Sequence, residues 1–335
     1  MLGVINIFVP KPEEVFVTDM HLMEHCVVEK IEKRFKKIEI ENLGIVINAE
    51  TFLDGFGVEL LFSNLELESV LLEQALNNVC FTQHDIQMIQ KNKSIITSEL
   101  SNIDINEEEI SLYTPLLKST KLSIMDLYEA SFSELEIGFV DLFNELWDNK
   151  SLTCSSNGLI TKHHNNKLNT LNNDYNLCTG IFYTGCINYN ILTVEEYIYL
   201  NFYSFILGKS SESIIDQLYL NENDLYLGYT HDVIINDSYH VLFLMEQGDY
   251  TVSQTNIINV DFINTMTEKQ FRKQKNAFKT YFLLNNDARK INEDFSKLTN
   301  MPSEIKYKEL IKQIDFLEQN RLVVLLSRLL KEIKC

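Results

Sequence analysis

Apolar positions in the first hundred residues switch between a period near 2 and a period near 3.6, and the switches delimit elements. Val4–Val9 reads as a strand and Asp19–Phe35 as a helix. Gly44–Ala49 and Val58–Phe62 read as strands, then Leu67–Val79 and Gln83–Leu100 as helices, with Thr82 or Asp85 placed to cap the last. After a break the same coarse order returns. Gly180–Asn188 reads as a strand, and Val194–Leu207 and Ser211–Leu220 as helices. Tyr226–Asn236 and Tyr239–Glu246 alternate as a hairpin does, and Thr267–Asn285 is helical. From Glu304 to Lys334, Leu and Ile recur at helical spacing, the mark of a surface-packed helix. The break itself, Ser155–Asn176, is polar and Asn-rich. The pattern therefore predicts a domain over 1–154, a linker over 155–176 and a second domain over 177–335. Strands and helices mix within each half without regular βαβ alternation, so the fold class is α+β.

Composition narrows what such a chain can do. Its 335 residues (39.0 kDa) suit two domains, and the net charge is −19. That charge repels phosphate backbones and anionic lipid, which excludes general nucleic-acid or membrane-surface binding and favours a basic peptide as partner. No 18 apolar residues run uninterrupted, so no membrane span is expected. The opening MLGVINIFVPKPEEVFV lacks a basic segment followed by an apolar core and small residues, unlike a secretory signal. The six cysteines, at 26, 80, 154, 178, 186 and 335, include no CxxC pair. They read as reduced, mostly buried thiols, and the expected location is cytoplasmic.

One pentapeptide carries chemistry: His21-Leu22-Met23-Glu24-His25. On a helix His21 and His25, four apart, project from one face and can take two corners of a tetrahedral Zn²⁺ site. Glu24 can reach the same face and address a water there. A catalytic centre then needs one more protein ligand from a separate element. Glu99 in KSIITSELS is the candidate, with 73 residues between it and His25, and Glu107 is the more distant alternative. The order H-x-x-E-H inverts the commoner H-E-x-x-H and is itself a zinc-peptidase signature.

At these residues the chain resembles the pitrilysin/insulinase zinc peptidases, which include mitochondrial processing peptidase. HLMEHCV resembles that family's zinc helix and TSEL its third-ligand segment. INAETFLDGFGVELLF is similar to the strand pair after the first helix, where the family carries Asn-Ala-x-Thr near the substrate, and NYNILTVEEYIYLNFYSFILGKSSES to the long helix of its C-terminal domain. The resemblance implies two similar α/β-roll domains facing across a cleft. It implies one zinc held by His21, His25 and Glu99, with Glu24 as general base. An extended substrate would add to the strand containing Ile47, Asn48 and Ala49.

Departures from the family pattern shape the expected function. Family members carry an Arg and a Tyr in the second domain that hold the substrate. Tyr226 or Tyr229 can be the tyrosine, but no arginine lies between Arg34 and Arg272. Asn92 stands where the family has an acidic residue seven before the third ligand. These features predict the zinc-carrying subunit of a two-chain processing peptidase, with a related second subunit supplying the Arg/Tyr pair. A self-sufficient monomer or homodimer is the alternative. Removal of a leader from a ribosomally made peptide would suit such a member. The rival roles are a non-catalytic scaffold subunit and a general peptide-scavenging oligopeptidase.

Other conspicuous residues have structural readings. His163–His164 belongs to solvated loop, His84 to a helix start, and His231 and His240 to a hairpin. Trp147 packs at the end of a helix, Cys26 points away from the metal, and Glu107–Glu109 is a solvated helix start.

Overall fold

The computed structural model describes residues 3–12, 14–52, 55–77, 79–103, 124–132, 138–164, 176–179, 182–187, 193–206, 210, 228–235, 240–247, 260–285, 288–297 and 302–330. It is an α+β fold of helices and antiparallel sheets. The described residues within 1–110, 121–169 and 288–305 form one compact unit, and those within 170–287 and 306–335 a second.

The first unit is built around β1 (Gly3–Pro10), buried at every position but its last. Its neighbours explain that. The sheet also contains β2 (Val46–Phe52), β3 (Gly55–Phe62), β4 (Ser151–Ser156), β5 (Leu159–His164) and β10 (Glu304–Lys306). Their order is β10-β5-β4-β1-β3-β2, so β1 is flanked by β3 and β4. Ile5 pairs with Leu60 on one side and Cys154 on the other, both antiparallel. Ile5, Ile7 and Val9 enter a core shared with Met20, Met23, Val27 and Ile31 of α1 (Val17–Lys37). On the other face lies α8 (Ala288–Lys297), packed on β1 and β4. There β4 offers hydroxyls: Ser151 donates to the Ser296 carbonyl and Thr153 to the Asn292 carbonyl at 3.0 Å. A strand covered on both faces reads as a nearly continuous apolar run.

Residues 288–305 thus belong with the first unit, not with the second half of the chain. Of the linker expected over 155–176, residues 155–164 belong to the first unit's sheet, because Ser156 and Leu159 close a hairpin between β4 and β5, and residues 165–175 lie outside the described residues. Asn157 (φ 53°) and Gly158 (φ 74°) supply the two left-handed residues that a two-residue turn of this hand requires.

Two details fix the strands and helix around the site. At Gly55 an added Cβ would lie 2.3 Å from the Val9 carbonyl, so the hairpin end of β3 approaches β1 as only glycine permits. At the end of α1, Glu39 adopts φ 60°, its N–H donates to the Lys36 carbonyl, and Ile40 N–H reaches back to Phe35. This is a Schellman cap with glutamate in the usual glycine position. The short α2 (Leu67–Val70) continues as a π-helical turn over Leu71–Leu76, and α3 (Ile86–Leu100) and α4 (Gly138–Asp148) complete the unit. Trp147 is buried near the end of α4, as expected.

The second unit contains a four-stranded sheet of β6 (Asn176–Thr179), β7 (Phe182–Ile187), β8 (Gly228–Ile235) and β9 (His240–Gln247) in the order β6-β7-β9-β8. The expected hairpin is present, with Ile235 paired to His240. Its long helix α5 (Val194–Ser204) starts at a capping box between Thr193 and Glu196. The rings of Phe202 and Phe205 pack at a tilt against Phe278 of α7 (Glu268–Asn285). The remaining helices are α6 (Val260–Thr265), α9 (Tyr307–Asp315) and α10 (Gln319–Leu330), so the Leu/Ile pattern near the C-terminus divides between two helices. The helix expected over Ser211–Leu220 lies outside the described residues.

Candidate metal centre

Helix α1 carries His21, Glu24 and His25, and α3 packs beside it. Met88, Ile89, Asn92, Ile96 and Leu100 are the buried positions of α3, a helical stripe that sets which way the remaining residues face. Polar ties fix its register. Lys30 pairs with Asp85 at 2.8 Å, and the Asn92 amide donates to Glu29 at 3.2 Å. At the start of α3, Asp85 accepts from the Thr82 N–H at 2.7 Å.

This packing brings Glu99 to the two imidazoles. Its Oε2 lies 3.8 Å from His21 Nε2 and 3.6 Å from His25 Nε2, and the rings stand edge to face with centroids 4.8 Å apart. One ligand atom from each residue falls within 4.8 Å of the others. Metal–nitrogen and metal–oxygen bonds near 2.0–2.2 Å at a tetrahedral centre place ligand atoms about 3.4 Å apart, so small side-chain rotations suffice. Burial, reinforced by His25, lowers the His21 pKa to about 4. His21 is therefore neutral at ordinary pH, the form that donates a lone pair to a metal. Two imidazoles and a carboxylate fit a divalent cation, and the set leaves a fourth position open.

Glu24 sits beside this set, 8% exposed. Thr51 Oγ1 of β2 donates to its Oε2 at 2.5 Å. Burial pushes the Glu24 pKa up to about 7, opposed by the Thr51 hydrogen bond and aided by Glu99 and Glu50. A bound cation would act in the opposite direction.

Thr51 is the residue that sequence reasoning left out, although it lay within the Asn-Ala-x-Thr segment. Alternation was the available signal. Thr51 and Ala49 share one face of β2, and Ala49 lines a cleft with Glu24 and His25. Asn48 projects from the other face, where its amide donates to Glu59 at 3.0 Å. Arg289 grips the same Glu59 through both carboxylate oxygens at 2.6 Å. β2 is the terminal strand of its sheet and pairs with β3 alone among the described residues.

Cys26 is buried in the core with its thiol pushed up to about 12, chiefly by burial, and takes no part in the cluster. Asn92 is buried on α3 and its amide donates to Glu29, which also pairs with Lys33 and Lys91. Tyr229 lies on β8, while Tyr226 and Glu107 lie outside the described residues.

No family model matches the sequence, and no curated protein matches it. Solved structures do. A protease from Helicobacter pylori is 12% identical with a TM-score of 0.57, covering 99% of this chain and 91% of that one. A chain of Complex III2 from Candida albicans is 11% identical with a TM-score of 0.60, covering 98% and 88%. A protein from Alicyclobacillus acidocaldarius described as M16-like is 12% identical with a TM-score of 0.56, covering 99% and 90%. At these identities the likeness is one of fold alone. Among the described residues, no helix is long and apolar enough to cross a membrane.

Proposed function

We propose that this chain is a zinc metalloendopeptidase in which His21, His25 and Glu99 hold the metal and Glu24 is the general base. The convergence of both imidazoles on one Glu99 oxygen, with a buried carboxylate alongside, carries the reading. Bound there, Zn²⁺ supplies a Lewis acid that polarises the scissile carbonyl and makes water more acidic. Glu24 accepts the proton of the attacking water and delivers it to the leaving amine. Thr51 holds the Glu24 carboxylate in place, and the β2 edge lines up an extended peptide by main-chain hydrogen bonds at Asn48 and Ala49.

The missing arginine supports a second, related subunit that provides the Arg/Tyr pair, with Tyr226 or Tyr229 as this chain's own contribution to binding. The net charge of −19 suits a basic peptide, and leader removal from a ribosomally made peptide is the role we favour. A scavenging oligopeptidase would act alone on many peptides. A scaffold subunit would have no need of the four site residues.

Native mass spectrometry of wild type beside Glu99→Gln, with peptide cleavage by wild type and Glu24→Gln, tests this. One zinc in the wild type, marked loss in Glu99→Gln, and cleavage that fails in Glu24→Gln are the expected results. No zinc under metal-replete conditions overturns the peptidase reading and favours the scaffold.

A further inference from the structure

A second set of metal-ligating groups lies in the first unit, formed by residues the peptidase reading does not use. One ligand atom from each of Glu68, Cys154 and His163 falls within 4.8 Å of the others. Cys154 is buried and unbridged on β4, Glu68 is half-buried in the first turn of α2, and His163 is exposed on β5.

The backbone explains how His163 joins this set. Thr153 pairs with Lys162, whereas Leu152 pairs with His164, so His163 is an extra residue with no partner on β4. That is a β-bulge, and a bulge re-aims the side chain it carries. It falls on a strand whose neighbour presents Leu152 and Cys154 to the core and Ser151 and Thr153 to α8.

We propose that Glu68, Cys154 and His163 form a second metal site that takes a divalent transition cation, Zn²⁺ foremost. Thiolate and imidazole together select zinc-like cations over Mg²⁺ or Ca²⁺, and the carboxylate completes three protein ligands. On binding, the Cys154 S–H bond breaks, the proton goes to solvent and the sulfur lone pair goes to the cation. The exposed imidazole and half-buried carboxylate provide the entry path. The cation clasps α2 to the β4–β5 hairpin, a structural role separate from Glu24. The site stands independently of the peptidase reading, because neither set shares a residue with the other.

Co²⁺ titration of the full chain after chelation tests the site. Its thiolate gives a sulfur-to-cobalt charge-transfer band that a His₂Glu site cannot produce. The expected result is two cations per chain and a band that persists in Glu99→Gln. Cys154→Ala should lose the band, and His163→Gln should weaken cobalt binding at this site by at least about tenfold, since even indirect supports of a ligand are worth that much. His163 is exposed, so His163→Gln keeps the test decisive if Cys154→Ala fails to fold. No band in the wild type, a band that survives Cys154→Ala, or wild-type cobalt affinity in His163→Gln each overturns the proposal.

Discussion

Thr51 Oγ1 donates to Glu24 Oε2 at 2.5 Å, tying the edge strand β2 to the buried carboxylate of α1. The contact couples the place where a peptide would lie to the group proposed to move its protons. Thr51→Val should lower kcat by roughly 10- to 100-fold, the worth of a hydrogen bond to a charged group, while bound zinc stays at the wild-type level. Steady-state cleavage measured beside metal content checks both halves. Equal loss of zinc and activity would mean that Thr51 supports the metal instead.

Chelation should abolish cleavage and leave a cooperatively folding protein. The helices that carry the ligands are joined by apolar positions such as Ile89 and Ile96 and by the Lys30–Asp85 pair, none of which needs a metal. Thermal unfolding should show a lower Tm without zinc, by the mass-action stabilisation a bound ligand confers, and the midpoint should recover on readdition.

Asp85 provides a pH dependence away from the metal. Burial alone would raise its pKa, but Lys30 and the Thr82 N–H hold it below the usual 3.8. The folded state therefore binds fewer protons than the unfolded chain. The stabilisation is present above pH 3.8 and is lost as pH falls through the lower, folded-state value. Asp85→Asn should cost about 1 kcal/mol at neutral pH, and urea melts should show the difference fading in acid.

Glu39 occupies the left-handed cap position of α1 with φ 60°. Glu39→Gly removes that backbone strain, which outweighs the extra freedom glycine gains in the unfolded chain. Denaturant unfolding should report a gain of about 0.5–1 kcal/mol, with metal content unchanged.

How much of this was legible from the residues depended on how local the information was. Helix α1 was legible because it carries both a 3.6-residue apolar period and the H-x-x-E-H pattern. The β8–β9 hairpin was legible from alternation. The β4–β5 hairpin was not, because its Asn157-Gly158 turn stood at the head of a long polar, Asn-rich run and was absorbed into it. Thr51 was in view, but its role depends on which face of β2 meets α1, and that is set by strand register. The return of 288–305 to the first unit had no local signal. Thr153 and Asn292 are 139 positions apart, and nothing near either residue announces the other.

That return has a consequence for how the protein is made. A ribosome delivers β1 first, but α8 and β10, which cover one face and extend one edge of its sheet, come almost three hundred residues later. Folding of the half that carries His21, Glu24, His25 and Glu99 cannot finish during its own synthesis, and contacts of such long sequence separation form slowly. A nascent chain released before residue 288 would leave the Ser151 and Thr153 hydroxyls without their carbonyl partners on α8 and the edge of β5 unpaired by β10, open to association with other strands. The proposed peptidase site therefore matures only once residues 288–305 have emerged, which delays hydrolytic activity until the intervening second unit has been made.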